Sequence, residues 1–393
     1  MSTEISADQL PTSLSRLVGF LKYDPSNLTL RGQAIGEAVQ FQLWQMAQAL
    51  VEEGLKLSPE APELLAHAGF LALRSNNYPE AKQCLSHAIA KGLTAAGVVH
   101  NLAFALYQLK EFEAVVQHTS ELLERKELIA EAGLLQARAL HYLGKMDEAI
   151  ALLESLKAQI PDGREDIDSV LSLLYYEVDR NDDALALANK LLAGDSAPLE
   201  ALIARGGSLV EMNRFDEAYQ DYKKATELFP SAGRAWSGLA QVAFHDMQLE
   251  NALSAVDTAV QHMPDHIGTW HIKGWIHILN NDVKAAKQAF DKAYEIDRNF
   301  GETHGGLAVC LAMAGELEAA ERHIKLAQRL DTLGFSAVYA QMLLLKKQGK
   351  SEAADALFSQ VMNSVHAGLG VAPNELVKKR LEELAERSPT RLH

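Results

Sequence analysis

The chain is short of cysteine, of basic charge and of long apolar runs, and each shortage excludes something. Two cysteines among 393 residues, Cys84 and Cys310, cannot form a disulfide framework. Free thiols suit a reducing compartment. The formal net charge is −15. Binding to phosphates needs clustered Lys and Arg, so no nucleic-acid partner is expected. No apolar stretch approaches the roughly 20 residues of a membrane span. The N-terminal MSTEISADQLPTSLSRL has no basic flank leading into an apolar run, so no secretory signal is expected either. These absences point to a cytoplasmic protein that does not bind membranes. Catalytic signatures are missing as well. There is no glycine-rich phosphate loop, no His-Glu-x-x-His, no Cys-x-x-Cys and no Gly-x-Ser-x-Gly. The expectation is a non-enzyme with no cofactor.

Two features invite a sharper reading and resist it. His262, His266, His271 and His277 crowd one region. The first two straddle Pro264 and so are not a helical i, i+4 pair. The last two are six apart, on different faces of a helix, and no cysteine is near. No zinc site is expected. The acid is uneven: Lys145 to Glu200 holds five basic and thirteen acidic residues. Such a stretch is either a solvated outer face or a patch for a basic partner.

What is present is a repeat. Gly233 to His266 reads as two short helices. Trp236, Leu239, Ala240 and Ala243 share one face of the first, and Ala252, Val256 and Ala259 share one face of the second. Pro264 then ends the second helix, because it lacks an N–H and its ring clashes with the preceding turn. The second-helix position recurs at Ala47, Ala81, Val115, Ala149, Ala184, Ala218, Ala252, Ala286, Ala320 and Ala354. Each step is 34 residues except the 35 from 149 to 184. The extra residue is placed in the turn Pro161-Asp162-Gly163. A small residue of the first helix keeps step at Gly69, Ala103, Ala137, Ser172, Gly206, Ala240, Gly274 and Ala308, with Ile35 and Met342 as exceptions at the ends. Small residues are needed where two helices cross closely. A closing proline survives at Pro59, Pro161, Pro230 and Pro264.

Trp, two residues, then Leu and a small residue, later Ala, three residues and a bulky apolar group, then Pro: this pattern resembles the tetratricopeptide repeat, or TPR. The resemblance is to the bacterial type of chain built of such repeats throughout, and it covers Leu28 to about Gly368. It implies an all-α fold, a right-handed superhelical α-solenoid of about ten helix pairs. Each repeat packs on its neighbours rather than round one centre. Outside the repeats, residues 1–27 read as a start without regular structure up to residue 11, followed by a capping helix at Thr12–Tyr23. Residues 369–393 read as a C-terminal capping helix and tail. Pro373 suits the helix's first turn, and Leu376, Val377, Leu381 and Leu384 form its apolar face.

The candidate site follows from the resemblance. In solved TPR proteins the fifth, ninth and twelfth residues of each first helix line a concave groove. They are i, i+4 and i+7, one stripe of the helix, about 100° round from the stripe that packs within the repeat. Here the stripe carries Phe70, His100, Phe104, Tyr107, Arg138, His141 and Tyr176 over repeats two to five. Repeats seven and eight add Gln241, Phe244, His271 and Trp275, and Asn101 lies beside His100. So many aromatics, with Arg138 among them, suit an apolar or aromatic peptide bearing one acidic group. The same side chains could instead pack between neighbouring first helices. The Lys, Asn and Arg set with which some TPR proteins clamp a C-terminal carboxylate is absent, since the stripe holds only Arg138 and a late Lys346. The functional expectation is a scaffold or adaptor binding a peptide or helix of a partner protein in the groove. The alternative is a chaperone, escort or inhibitor that wraps one basic or secreted protein, with the acidic stretch at 145–200 as the surface for a basic partner.

Overall fold

The computed structural model describes residues 10–160, 164–194, 196–331, 334–362 and 375–386. The expectations placed on residues 1–9, on the turn at 161–163, on Pro373 and on the tail at 387–393 fall outside them. Among the described residues there are 22 helices and no strands. Helix α1 (Thr12–Leu21) comes first. Five pairs follow: α2 (Leu28–Gln40) with α3 (Trp44–Leu57), α4 (Pro62–Arg74) with α5 (Tyr78–Ala90), α6 (Ala96–Gln108) with α7 (Phe112–Glu124), α8 (Ile129–Tyr142) with α9 (Met146–Gln159), and α10 (Glu165–Glu177) with α11 (Asn181–Leu192). Five more are α12 (Leu199–Glu211) with α13 (Phe215–Leu228), α14 (Gly233–His245) with α15 (Leu249–His262), α16 (Ile267–Leu279) with α17 (Val283–Ile296), α18 (Gly301–Ala314) with α19 (Leu317–Leu330), and α20 (Phe335–Lys347) with α21 (Ser351–Met362). Helix α22 (Glu375–Ala385) ends the series. The chain divides into two compact units, Met1–Leu174 and Tyr175–His393.

The architecture is the all-α solenoid that the repeat spacing predicts, and the ladder is its core. All ten second-helix positions from Ala47 to Ala354 have no exposed surface. The small first-helix residues opposite them are buried too, Ile35 and Met342 included. Their sizes are matched to their neighbours. A Cβ added at Gly69 would strike Leu85, one at Gly206 would strike Tyr222, and one at Gly274 would strike Phe290. Those bulky residues each lie four past the ladder alanine. Where the first helix has Ala103, Ala240 or Ala308, the corresponding residue is the β-branched Thr119, Val256 or Ile324. Ala137 with Leu153 departs from the trend. Glycine inside a helix costs about 1 kcal/mol against alanine, and the space it leaves for a ring or a leucine offsets that.

The proline at the end of a repeat has a second use. The indole N–H of Trp236 donates to the carbonyl of Pro230, and that of Trp270 to Pro264, each at 2.8 Å. The tryptophan in the first turn of one repeat therefore pins the closing proline of the repeat before.

Between the two helices of every pair, one residue is left-handed. Gln42, Asn76, Lys110, Gly144, Asp179, Asn213, Met247, Asn281, Gly315 and Gly349 all have positive φ. Each lies five before its ladder position. The left-handed residue ends the first helix and reverses the chain. A residue with a Cβ is strained there by about 1–2 kcal/mol. Gln42 is exposed, with φ 58°. Gln42→Gly is therefore expected to stabilise the first unit by up to about 1 kcal/mol, after the entropy that glycine loses on folding. A lower midpoint in urea would contradict this.

In the first unit, α1 packs on α2 through buried Leu14 and Leu21, beside Ala34, Ile35 and Ala38. Arg31 is buried in α2 and donates to the carbonyls of Leu50 and Pro25, both at 2.9 Å. It ties α1's following turn to α3. In the second unit, α18 is unlike the other first helices. Every residue from Glu302 to Met313 is buried. A helix apolar on all sides must be covered on all sides. Helices α16, α17, α19 and α20 pack around it. Helix α22, expected to cap the end of the stack, lies against α16 and bonds to α20.

Candidate functional site

The stripe residues are set out by their helices as the spacing predicts, but their exposure differs along the chain. In the first unit, Phe70, Asn101 and Phe104 line one open hollow of about 450 Å³ together with Trp44, Arg74 and Tyr78. Phe104 is 36% exposed, and Phe70 and Asn101 are half-buried. The guanidinium of Arg74 lies over the Trp44 ring, 3.6 Å from its centre. Tyr107 belongs to a second group, meeting Phe112 and Tyr142 edge-on at 5.7 and 5.9 Å. Phe112 and Tyr142 stack at 4.7 Å. His141 reaches the same group through Tyr142, and Arg138 is half-buried one turn before it. His100 is half-buried, and burial lowers its pKa, partly offset by the carboxylate of Glu131.

Trp44, Tyr78, Phe112 and Tyr142 were not among the sequence candidates. The first three open their second helices, each three residues before its ladder position. That recurrence was available in the sequence. Their meeting with the first-helix stripe was not.

In the second unit, Tyr176, Gln241, Phe244, His271 and Trp275 all line one cavity of about 420 Å³. Gly238 and Gly268 are among its lining residues, and glycines seat the two tyrosines that wall it. A Cβ at Gly207 would overlap the Tyr176 ring, and one at Gly206 or Gly238 would overlap Tyr222. The walls are aromatic, and polar groups stand at intervals round them. Arg234, which is ion-paired with Glu177, lies on one side. The buried carboxylate of Glu302 lies on another and accepts from the backbone N–H of Ser336 at 3.2 Å. Burial pushes the Glu302 carboxyl up from the usual carboxylate range. Phe244, His271 and Trp275 are themselves buried, so they serve as wall and as packing at once. The buried indole N–H of Trp275 meets no acceptor among the described residues. A donor left so inside a protein calls for an explanation, and a bound acceptor would supply one. An apolar cavity with a few convergent polar groups is the usual form of a binding site.

The four crowded histidines have separate duties. His266 caps α16, its side chain accepting from the N–H of Thr269. His271 Nε2 is 2.8 Å from the hydroxyl of Thr303, and its ring meets Phe290 and Phe300 edge-on. His262 is exposed and His277 half-buried. Among the described residues, no three His, Cys, Asp or Glu side chains are placed to hold a metal ion. Cys84 and Cys310 are both free, one half-buried and one buried. No helix of the described residues is long and apolar enough to cross a membrane.

His271 gives a pH dependence with a definite sign. Burial pushes its pKa from 6.5 down to about 4. Above pH 6.5 the imidazole is neutral in folded and unfolded chain alike, and no stability is lost. As pH falls from 6.5 towards 4, the unfolded chain takes up a proton that the folded one refuses. Stability should fall by up to about 3 kcal/mol over that window. Other half-buried histidines act in the same direction, so the comparison is with His271→Gln. That variant should lose less stability than the wild type between pH 7 and pH 4 in denaturant melts. Equal losses in both chains would exclude His271 as a source.

In the acidic stretch, carboxylates are partly matched by local cations. Lys145 pairs with Glu148, Lys157 with Asp168, Arg164 with Asp166 and Arg180 with Asp183.

Fold and site define a class: a helical-repeat scaffold of the kind that serves protein–protein interaction. Residues 203–266 and 277–341 each match a tetratricopeptide repeat family model, and the same step runs through the ladder from Ala47 to Ala354. Over those matched residues the chain is built of tetratricopeptide repeats. BBSome complex member BBS4 of Bos taurus is 22% identical over 271 residues, covering 68% of this chain and 51% of that protein. The Mus musculus protein of the same name is 22% identical over 288 residues, covering 72% of this chain and 54% of that one. The chain thus spans about half the length of these curated relatives. A solved tetratricopeptide repeat protein from Parabacteroides merdae superposes with a TM-score of 0.49 at 15% identity, over 64% of this chain and 98% of that one.

Proposed function

We propose that this chain is a non-enzymatic scaffold that holds a segment of a partner protein on the inner stripe of its first helices. The observation that carries the reading is the cavity of the second unit, which gathers five of the candidate stripe residues from three helices, α10, α14 and α16. The open aromatic hollow around Phe104 offers the first unit an equivalent surface. An apolar or aromatic side chain of a partner suits both, because each is walled by rings with few polar groups. The relatives are designated members of a complex, which accords with a life spent in assemblies. An escort wrapping one basic partner is the weaker reading. Four of the five cations between Lys145 and Glu200 already hold carboxylates of that stretch.

Two variants test the reading without unfolding the protein. Gln241 is half-buried and lines the cavity, so Gln241→Trp should fill the space from its wall. Phe104→Ala removes a ring already well exposed, and should cost much less than the roughly 3–5 kcal/mol of a core Phe→Ala change. In affinity capture from the native lysate, a partner held by the wild type should be reduced at least ten-fold by one or both variants. A partner held equally by the wild type and both variants would move the site off the inner stripe.

A further inference from the structure

In the last three repeats the inner stripe is already occupied by the chain itself. There the fifth, ninth and twelfth positions include Trp275 and Ile278 of α16, Val309 and Ala312 of α18, and Tyr339, Leu343 and Lys346 of α20. All but Lys346 are buried, in contrast to Phe104 at the same register in the third repeat. The cover is α22. Its Val377, Leu381, Leu384 and Ala385 are buried in the same apolar cluster as those stripe residues. They recur at intervals of four, three and one, a single helical face.

Stripe residues and helix ends also grip α22 by polar contacts. The Tyr339 hydroxyl donates to the carbonyl of Leu381 at 2.9 Å. Lys346 reaches Glu386 at 2.6 Å. Arg380 Nε donates to the carbonyl of Leu279 at 2.9 Å, at the C-terminal end of α16, where unsatisfied carbonyls favour a cation. A helix of 11 residues is marginal in water by itself. Helix α22 therefore owes its form to this seat, as a bound amphipathic helix does to its groove.

We infer that the inner face of repeats eight to ten is a receptor for an amphipathic helix of a partner protein, and that α22 is the occupant which such a helix displaces. The partner helix is specified by what α22 presents: apolar residues at i, i+4 and i+7, with an arginine at i+3 to meet the end of α16. Tethering gives α22 a high effective concentration at its seat, so a partner helix must compete with it. The inference rests on the reading of the inner stripe as the binding face and names the ligand class of one part of it.

The test uses a labelled synthetic peptide of residues 375–386 as probe, with fluorescence anisotropy on the full chain. In Leu381→Glu the tethered helix is spoiled by a charge where its apolar face is deepest. That chain should bind the peptide at least ten-fold tighter than the wild type, and adding Lys346→Glu, which removes the partner of Glu386, should cut the gain. A folded Leu381→Glu chain that binds no tighter than the wild type would overturn the inference. Should that variant fail to fold, a protease site placed between residues 362 and 375 serves instead. After cleavage, the released C-terminal piece should exchange with labelled peptide within hours. A cut chain that keeps its own piece for days and takes up no label would show α22 to be a fixed part of the core, and would equally overturn the inference. Peptide uptake reads the α22 seat, whereas partner capture by the Phe104 and Gln241 variants reads the rest of the stripe, so the two readings fail separately.

Discussion

Phe290→Ala is expected to destabilise the second unit by about 3–5 kcal/mol, the range for emptying a buried phenylalanine site. The ring has no exposed surface. It lies where a Cβ on Gly274 or on Gly306 would overlap it, so it packs directly on the backbones of α16 and α18. It also meets the edge of His271 at 5.5 Å. Helices held by backbone-to-ring contact have no longer side chains to swing into the gap, so the site should collapse poorly. In a solenoid each repeat depends on its neighbours. The loss should then appear as an earlier unfolding step confined to the second unit, not as a uniform shift of one transition. Urea melts followed by circular dichroism and by tryptophan emission would show it. A loss below about 1 kcal/mol would mean that the ring does not fill this space.

Gly305→Ala and Gly36→Ala should change stability in opposite directions, although each replaces a helical glycine by the best helix former. At Gly36, inside α2, nothing lies within 4 Å of an added Cβ. Alanine there restricts the unfolded chain and should add about 0.4–1 kcal/mol. At Gly305 the added carbon would sit 2.6 Å from the backbone nitrogen of Ala337 and 2.6 Å from Cβ of Ser336. Backbone cannot swing aside as the end of a side chain can, so α18 and α20 would have to part. Overpacking of this kind costs about 1–3 kcal/mol and outweighs the gain in propensity, which is about 1 kcal/mol. Melting the two variants beside the wild type settles the signs. Stabilisation by both would mean that α18 and α20 do not approach as closely as described.

The Gly305 contact also bears on the inner face. Helix α20 carries Tyr339 and Lys346, which hold α22, and its start is fixed by the Glu302 carboxylate on the N–H of Ser336. A shift of α20 away from α18 would move the seat of α22 and one wall of the cavity together. Gly305→Ala should therefore also weaken the hold on α22, read as faster release of the C-terminal piece after cleavage between residues 362 and 375.

Much of the fold was legible in the sequence for a local reason. A helix pair of 34 residues closes its own crossing, so the residues that must be small, the ladder alanines and Gly69, Gly206 or Gly274, recur at one step along the chain. Helical period also puts Phe104, Gln241 and His271 on one stripe of their helices, while the expectation that this stripe lines a groove came from the resemblance. Exposure on that stripe was decided only in tertiary structure. Phe104 and Val309 hold the same register, yet one is open and the other sealed. The difference is made by what packs there: α16, α17, α19 and α20 enclose α18, and α22 adds to the cover of α16 and α20, its Arg380 meeting a carbonyl 101 residues earlier. An amphipathic helix has the same apolar pattern whether it ends a stack or lies in a groove. Burial is a property of what comes to cover a surface, and a periodic sequence does not say where along the stack the cover will lie.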